Sequence, residues 1–413
     1  MGTTPTLAPS GAALPGADGL PIVIIGAGLA GWTTAREFRK LDAVTPVVVI
    51  TADSGDFYAK PTLSNAFAQK RTPAQLVTTP AAKMVETLNV SLLPHTRVLA
   101  IDTAARTVRT AQGDIGYGRL ALATGATPIR VPLRGDALDQ MLSVNTLDDF
   151  AAFHARLTGP DGASSKPGRI VVMGAGLIGC EFANDLAGAG FEVCVVDPGE
   201  RPLAALLPEA ASAQLLDALG RLGVAWHFGT TVSAVDHAGT ALRVTLANGQ
   251  SLDADLVLSA IGLRADTALA QAAGIACERG IVVDAQLRTS APDVFALGDG
   301  AQYAPGLWSA AAVTGGRTLP YVMPIMSAAR VLAGHLAGQT GRLAFPVMPV
   351  AIKTPSLPLV VAPPAPGTSG DWREIESGEW QWLDAAGARR GFALSGAATA
   401  RRSQAAAALA VAA

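Results

Sequence analysis

Two glycine-rich runs in this sequence have the spacing of a turn that holds the pyrophosphate of a dinucleotide. The first is Gly26-Ala27-Gly28-Leu29-Ala30-Gly31, and the second is Gly174-Ala175-Gly176-Leu177-Ile178-Gly179. In such a turn the first glycine permits the bend, the second lets the backbone approach the phosphates, and the third lets the helix pack on the strand. The helix N-terminus adds free N–H groups and a partial positive charge. The two runs therefore predict two dinucleotide-binding sites.

The segments around each run have the order that such a site requires: a strand, the glycine turn, a helix and a second strand. Residues 21–25 and 46–50 are apolar, β-rich runs on either side of the first turn, and residues 169–173 and 191–197 flank the second. A helical pattern follows each turn. The sequence therefore predicts an α/β fold with two Rossmann-like βαβ units.

An acidic residue at the end of the second strand distinguishes the nicotinamide nucleotides. In the second unit this residue is Asp197. A carboxylate there accepts hydrogen bonds from ribose hydroxyls and repels a 2′-phosphate, which favours NAD over NADP. Two alternatives stay open: Arg201 could serve a phosphate, and Asp197 could cap the turn before Pro198. In the first unit the acid is displaced to Asp53, so we expect Thr51, Ala52 and backbone groups to carry the adenosine contacts.

Composition excludes several other classes of protein. Of the 413 residues, 50% are hydrophobic and 15% are charged, and the net charge is −2. Such a chain is not a disordered tail, and its charge argues against binding nucleic acid. No run of about 18 apolar residues predicts a transmembrane segment. The three scattered cysteines and five histidines lack metal-ligand spacing. We therefore expect no metal, no disulfide framework and a reducing, cytoplasmic compartment.

Two further motifs complete a family pattern. They are Ala123-Thr124-Gly125 and the run from Thr289 to Asp299, which ends Ala296-Leu297-Gly298-Asp299. With the two glycine runs they occur in the order found in the two-dinucleotide flavoprotein reductases, the pyridine nucleotide oxidoreductase superfamily, which this sequence resembles. The resemblance implies FAD on the first glycine run, NAD on the second, and a hydrogen bond from the FAD ribityl chain to Asp299.

A narrower resemblance covers residues 21 to 397. The runs Tyr58 to Ser64, Gly176 to Asp185, Tyr321 to Met326 and Ile352 to Pro355 are similar to those of the bacterial rubredoxin–NAD reductases of alkane-hydroxylation systems. This resemblance implies that a flavin takes a hydride from NADH and passes electrons singly to rubredoxin, which docks near the flavin. Two departures are an extra segment at 1–20 and an apparent insertion at 305–318.

The resemblance also assigns site residues. The implied FAD contacts are Ala27 to Ala30, Thr51, Ala52, Lys60, Val98, Glu181, Asp299, Val322 and Lys353. The remaining predicted nucleotide-binding positions are Gly26, Gly31, Thr124, Gly125, Gly174, Gly176, Ile178, Gly179, Asp197 and Gly262.

Two of these residues are the predicted catalytic pair. We expect Lys60 and Glu181 to meet beside the flavin as an ion pair, one from each nucleotide-binding unit. The alternative is a structural inter-domain salt bridge. Lys353 would offset negative charge on the reduced flavin ring, or else would be a solvated lysine.

The sequence lacks the paired cysteines that disulfide reductases of this superfamily carry near residues 57–70. Electrons that reach the flavin should therefore leave directly to an outside acceptor. The alternatives to rubredoxin are a 2Fe–2S ferredoxin that serves an oxygenase, oxygen itself, or no acceptor, as in a signalling protein that only binds FAD.

The predicted domains are a disordered leader at 1–20, a discontinuous FAD domain at 21–145 and 272–340, and an NAD domain at 146–271. A small, β-rich α+β domain at 341–413 follows, and its alanine-rich end from residue 405 is expected to be a frayed helix. Monomer and homodimer both stay open.

Overall fold

The computed structural model describes residues 19–159, 168–307, 316–365 and 367–411. The predicted leader therefore lies outside the described residues, except for residues 19 and 20. The central part of the apparent insertion at 305–318 lies outside them as well.

The first glycine run belongs to a five-stranded parallel sheet, the first parallel sheet. Its strands in spatial order are Val294–Ala296, Arg119–Leu122, Ile22–Ile25, Val47–Ile50 and Ser91–Leu93. The two central strands have the sequences Ile-Val-Ile-Ile and Val-Val-Val-Ile, and every residue in them is buried. Continuous apolar runs of this kind are typical of parallel strands that are covered on both faces.

The second glycine run belongs to a second five-stranded sheet, the second parallel sheet. Its strands in spatial order are Met141–Leu142, Leu256–Ser259, Arg169–Met173, Glu192–Asp197 and Ala225–Phe228. Because the carboxyl ends of parallel strands share one edge, each sheet brings its glycine turn close to the end of its next strand. Asp197 ends that strand in the second sheet, and Asp53 follows it in the first.

A third five-stranded sheet, the C-terminal sheet, is antiparallel. Its strands in spatial order are Val350–Ile352, Leu359–Ala362, Arg389–Ser395, Glu379–Leu383 and Asp371–Glu376. The last helix, Arg402–Val411, packs against this sheet through Ala405 and Leu409, which are each 7% exposed. The predicted alanine-rich helix is therefore present, and Ala405 and Leu409 place one of its sides on an apolar face.

The α-helices of the described chain are α1 (Leu29–Arg39), α2 (Pro73–Leu76), α3 (Ala81–Leu88), α4 (Leu147–Thr158), α5 (Leu177–Gly188), α6 (Glu209–Gly220), α7 (Ala268–Ala272), α8 (Val322–Leu336) and α9 (Arg402–Val411). Short 3-10 helices cover Lys60–Asn65, Leu138–Gln140, Gly298–Gly300 and Gly396–Arg401.

Smaller sheets complete the structure. Two are three-stranded, with Val98–Asp102, Thr107–Thr110 and Gly113–Gly116 in one and Val232–Ala238, Ala241–Leu246 and Ser251–Ala254 in the other. The two-stranded pairs are Phe57–Tyr58 with Val77–Thr79, Ala126–Pro128 with Leu263–Ala265, and Ile281–Val283 with Ala301–Tyr303.

The architecture confirms the predicted fold class: two parallel α/β sheets of Rossmann type followed by a β-rich C-terminal part. Among the described helices, none combines the length and the apolar character that crossing a bilayer would need.

Candidate functional site

The first glycine turn has one glycine that faces open space. Gly26 has φ +108°, and a Cβ there would collide with the carbonyl oxygen of Ala123. A Cβ on Gly31 would collide with the carbonyl oxygen of Gly26. Around Gly28, in contrast, no described atom other than those of its chain neighbours lies within 4 Å of a Cβ position. The first and third glycines are thus required by packing, while the space at Gly28 suits a phosphate group approaching the backbone.

The second turn repeats this geometry. Gly174 has φ +104°, and its Cβ would lie 2.7 Å from the carbonyl oxygen of Ala260. The Cβ of Gly179 would collide with the Gly174 carbonyl, whereas Gly176 has no described protein atom within 4 Å of that position. Ile178, on the first turn of α5, leaves 38% of its surface exposed beside this open turn.

Asp197 lies at the carboxyl end of its strand and braces the second turn. Its Oδ2 accepts the Ala175 N–H at 2.6 Å, and its Oδ1 accepts the Gly199 N–H at 2.7 Å. Asp197 therefore does cap the following turn, as the alternative reading held. Each carboxylate oxygen accepts more than one hydrogen bond, so the residue can still serve a ribose hydroxyl.

Arg201 is held inside its own loop. Its Nη1 donates to the Leu207 carbonyl at 3.0 Å and to the Ser212 hydroxyl at 2.6 Å, and its Nη2 donates to the Ala204 carbonyl at 3.3 Å. These bonds use three of the five N–H groups of the guanidinium, so Arg201 is anchored but keeps donors that a phosphate could use.

At the corresponding edge of the first sheet, Asp53 also serves its own turn. The Thr51 hydroxyl donates to Asp53 Oδ1 at 2.6 Å, and the Gly55 N–H donates to the same oxygen at 3.0 Å. Ala52 between them is exposed. The predicted contact Val98 is half-buried at the start of Val98–Asp102.

Asp299 is placed beside the first glycine turn with an unused acceptor. The preceding residue, Gly298, has φ +80°, and a Cβ there would lie 2.9 Å from the Cβ of Ala30 in α1. The Gly298 N–H donates to the Tyr303 hydroxyl at 3.0 Å. Asp299 Oδ1 is buried and has no hydrogen-bond partner among the described residues. A buried acceptor normally has a donor, so this oxygen fits a hydroxyl group of a bound ligand.

Two opposing effects act on the pKa of Asp299. Burial raises the pKa of Asp299, and the positive charge of Lys60 lowers it by a smaller amount. The positive charge of Lys60 therefore acts on the carboxyl group of Asp299.

Thr124 and Gly125 are hydrogen-bonded to Asp266, which is far from them in the sequence. The Thr124 hydroxyl donates to the Asp266 carbonyl at 2.9 Å, and the Asp266 N–H donates to the Gly125 carbonyl at 3.0 Å. A Cβ on Gly300 would lie 3.0 Å from that same Gly125 carbonyl. Gly262, with φ +118°, precedes the strand that pairs with Ala126–Pro128.

The N-terminus of α8 lies near that of α1. The Thr33 hydroxyl contacts the sulfur of Met326 at 3.7 Å, one helical turn after Val322. Val322 and Met323 are 40% and 55% exposed. The predicted contact Val322 is therefore partly exposed at the first residue of α8.

Glu181 is the centre of the site's charged groups. It is completely buried on α5, two residues after Gly179. The Lys353 ammonium lies 2.8 and 2.9 Å from its two oxygens, and the Lys353 backbone N–H donates to Oε1 at 2.9 Å. The Ser64 hydroxyl donates to Oε2 at 2.6 Å. Three segments of the chain thus meet at one carboxylate.

The predicted ion pair between Lys60 and Glu181 is wrong in this structure. Lys60 Nζ instead donates to Asn145 Oδ1 at 3.1 Å. Lys353 takes its place because the strand Val350–Ile352 ends against α5, which lets both the backbone and the side chain of Lys353 reach Glu181.

Sequence reasoning missed the supporting polar residues. Ser64, Asn184 and Asp185 lie within runs that carried the family resemblance, and 181, 184 and 185 have the spacing of one helix face. Asp185 accepts the N–H groups of Phe67 and Ala68 at 2.8 and 2.9 Å. The spacing of residues 181, 184 and 185 was therefore the sequence signal that could have identified Asn184 and Asp185 as neighbours of Glu181. No signal pointed to Asn145, which lies 85 residues from Lys60.

All three cysteines are free. Burial raises the pKa of each thiol, so none is poised as a reactive thiolate. The described residues contain no group of metal-binding side chains.

Comparison with known proteins defines the class. Residues 20–315 match the model of the pyridine nucleotide-disulphide oxidoreductase family, and the chain belongs to this family of oxidoreductases. The family uses FAD and NAD(H), which confirms the predicted cofactors. Residues 342–409 match the model of a rubredoxin binding C-terminal domain.

Two relatives within the family are reductases with which the chain aligns over most of its length. The chain is 44% identical over 382 residues to a rubredoxin–NAD(+) reductase of Alcanivorax borkumensis, which covers 92% of this chain and 95% of the relative. It is 42% identical to a nitric oxide reductase FlRd–NAD(+) reductase of Aeromonas salmonicida, over 85% and 86% of the two chains. The resemblance to the rubredoxin–NAD reductases is thus confirmed.

A solved structure supports the same fold. A ferredoxin reductase from Rhodopseudomonas palustris superposes with a TM-score of 0.80 at 26% identity, and the match covers 91% of each chain.

Proposed function

We propose that this protein is an NADH-dependent reductase that delivers electrons through FAD to rubredoxin. One observation carries the proposal: the part of the chain that matches a rubredoxin-binding domain supplies Lys353 to Glu181 on α5, the first helix after the second glycine turn. The segment for the acceptor protein and the segment for the nicotinamide nucleotide therefore share one buried charged group.

The residues fit both nucleotides. FAD would lie on the turn from Gly26 to Gly31, with a ribityl hydroxyl donating to the free Oδ1 of Asp299. NAD would lie on the turn from Gly174 to Gly179, with Asp197 accepting from its ribose. When bound, FAD accepts electrons in pairs from a nicotinamide and releases them one at a time, which no side chain of this protein can do.

Charged residues of the chain prepare this site. Glu181 stays fixed because three donors hold it, and it keeps the Lys353 ammonium in place. Asn145 fixes Lys60 in the same way. Preorganised positive charges stabilise the negative charge that develops as a hydride arrives. We therefore assign Lys60 and Glu181 to the catalytic site and add Lys353 as the partner of Glu181.

Domain boundaries follow the sheets. We propose an FAD domain that begins at residue 21 and resumes at 272–340, an NAD domain that ends at 271, and a C-terminal domain from 341. The strand Met141–Leu142 pairs within the second parallel sheet. We therefore move the start of the NAD domain from 146 to before Met141.

Rubredoxin is proposed to dock at the rim of the flavin site. Val322 and Met323 expose apolar surface there, and Lys353 leaves 38% of its side chain accessible. Exposed apolar side chains together with accessible charge are typical of interfaces between proteins. We also infer a cytoplasmic location from the three free, widely separated cysteines.

A 2Fe–2S ferredoxin is the second candidate acceptor. The superposition on a ferredoxin reductase favours it. The deciding experiment measures NADH oxidation by the FAD-loaded protein with rubredoxin, with a 2Fe–2S ferredoxin and with neither protein. Faster turnover with rubredoxin supports the proposal. Faster turnover with ferredoxin, or equal turnover without an acceptor protein, contradicts it.

A further inference from the structure

Helix α5 contacts one C-terminal loop at two points. Glu181 binds Lys353, and Asn184 Oδ1 accepts the Ser356 N–H at 3.1 Å and also the Ser356 hydroxyl. Glu181 and Asn184 lie on the same side of α5 because three residues make nearly one helical turn. Lys353 and Ser356 have the same spacing in the loop, so the two segments meet in register.

The second contact joins a buried side chain to an exposed residue of the loop. Asn184 is only 4% exposed, and a single side-chain oxygen receives both bonds from Ser356. The loop itself is a closed turn, because the Thr354 hydroxyl donates to the Leu357 carbonyl at 2.7 Å and the Leu357 N–H donates to the Thr354 carbonyl at 2.9 Å. A closed turn that is held at both ends has little freedom to shift along α5.

The ion pair with Glu181 does not by itself fix the position of the Lys353 side chain. Lysine is a flexible side chain with a point charge, so one ion pair defines its position poorly. The backbone of the loop must also be fixed if the ammonium is to stay on Glu181, and the bond from the Lys353 N–H to Glu181 Oε1 fixes only the first residue of the loop. Asn184 provides that second point of attachment.

We infer that Asn184 is a positioning residue, which fixes the 353–356 loop on α5 and so sets the Lys353 ammonium on Glu181. Asn184 lies seven residues beyond the first residue of α5, about 10 Å along the helix axis. It therefore acts through Lys353 rather than on a nucleotide at the glycine turn. The inference rests on the proposed function for the role of Lys353 in electron transfer.

Hydrogen exchange tests the attachment without any assay of activity. Asn184→Ala removes both bonds, Ser356→Ala removes only the hydroxyl bond at an exposed residue, and Asn184→Asp keeps an acceptor oxygen. We expect the Lys353 and Ser356 amides to exchange roughly tenfold faster in Asn184→Ala, less so in Ser356→Ala, and near the wild-type rate in Asn184→Asp. Asn248→Ala, on an exposed turn, is the matched control. Unchanged exchange in Asn184→Ala overturns the inference.

A double-mutant cycle tests the path through Lys353. The rate of rubredoxin reduction is compared for Asn184→Ala, Lys353→Met and the double variant, each with its FAD content measured. We expect Asn184→Ala to slow the reaction roughly tenfold, within the range that a misplacement of about 1 Å can cost. It should have no further effect when Lys353 is already methionine, because residues that act through one another are not additive. If the two substitutions slow the reaction independently, so that the double variant shows the product of the two single effects, Asn184 has a general structural role and the inference is overturned. If the wild type does not reduce rubredoxin, the proposed function fails, while the exchange experiment still decides the attachment.

Discussion

At the scale of single residues, the site depends on buried polar atoms whose partners can be counted. Glu181 has three donors on its two oxygens, whereas Asp299 has an oxygen with none among the described residues. The hydrogen-bond acceptors of Glu181 are satisfied without a ligand, whereas Oδ1 of Asp299 still lacks a donor. Substitutions at the two positions should therefore have different effects.

Glu181→Gln is expected to slow hydride transfer while FAD remains bound. Glutamine keeps the shape of the side chain but loses the negative charge that holds Lys353. Since preorganised charge contributes directly to the rate, we expect flavin reduction by NADH to slow by about tenfold or more. Stopped-flow absorbance of the flavin measures this rate. Glu209→Gln makes the same change at an exposed position in the first turn of α6, and reduction at the wild-type rate in Glu181→Gln would remove Glu181 from the mechanism.

Asp299→Ala should weaken FAD binding. The variant deletes a buried carboxylate oxygen that has room for a ligand hydroxyl, and a hydrogen bond to a charged group contributes about 1.5–3 kcal/mol. We therefore expect the dissociation constant of FAD to rise by about 10- to 150-fold, measured by fluorescence titration of the apoprotein. Asp139→Asn, at an exposed position, is the control. Equal affinity in the Asp299 variant would show that FAD does not use this oxygen.

At the scale of elements, α5 joins parts of the chain that are far apart in sequence. Glu181 and Asn184 contact the loop after Val350–Ile352, and Asp185 contacts the N–H groups of Phe67 and Ala68. The helix therefore both opens at a glycine turn and forms the junction of three segments.

Asp185→Ala should destabilise this junction. The substitution leaves the N–H groups of Phe67 and Ala68 without their acceptor. Of the two, the Phe67 N–H is buried, and an unsatisfied buried donor costs about 1–3 kcal/mol. The loss is reduced by removal of a carboxyl whose pKa is raised by burial. We expect the free energy of unfolding of the apoprotein to fall by about 1–3 kcal/mol in urea titrations. Asp217→Ala, at an exposed position of α6, should change it little. A stability equal to that of the wild type would show that Asp185 is not needed at the junction.

The elements also show which features the sequence could predict. The glycine turns, their strands and the acidic Asp197 are local, since each lies within about 25 residues of its motif. The partner of Glu181 is not local. It lies 172 residues away, and the choice between Lys60 and Lys353 depends on where Val350–Ile352 ends against α5. Asn145 was missed for the same reason, because its contact with Lys60 spans 85 residues.

At the scale of the whole molecule, all four tyrosines have a hydroxyl group that is costly to ionise. Burial raises the pKa of Tyr58 to about 12, and it raises those of Tyr117, Tyr303 and Tyr321 from the ordinary value of 10.0. These residues lie in different parts of the structure: Tyr58 beside the site, Tyr117 and Tyr303 in the core around the first parallel sheet, and Tyr321 before α8.

Alkaline pH should therefore unfold the protein cooperatively. Above pH 10 the unfolded chain releases tyrosine protons that the folded protein retains, so the free energy of unfolding falls as pH rises. Each tyrosine contributes about 1.4 kcal/mol per pH unit until its folded pKa is reached. We expect tyrosinate absorbance and the loss of circular dichroism of the apoprotein to appear together above pH 10. A tyrosinate signal that develops near pH 10 while the circular dichroism stays intact would show that these hydroxyl groups are accessible in the folded state.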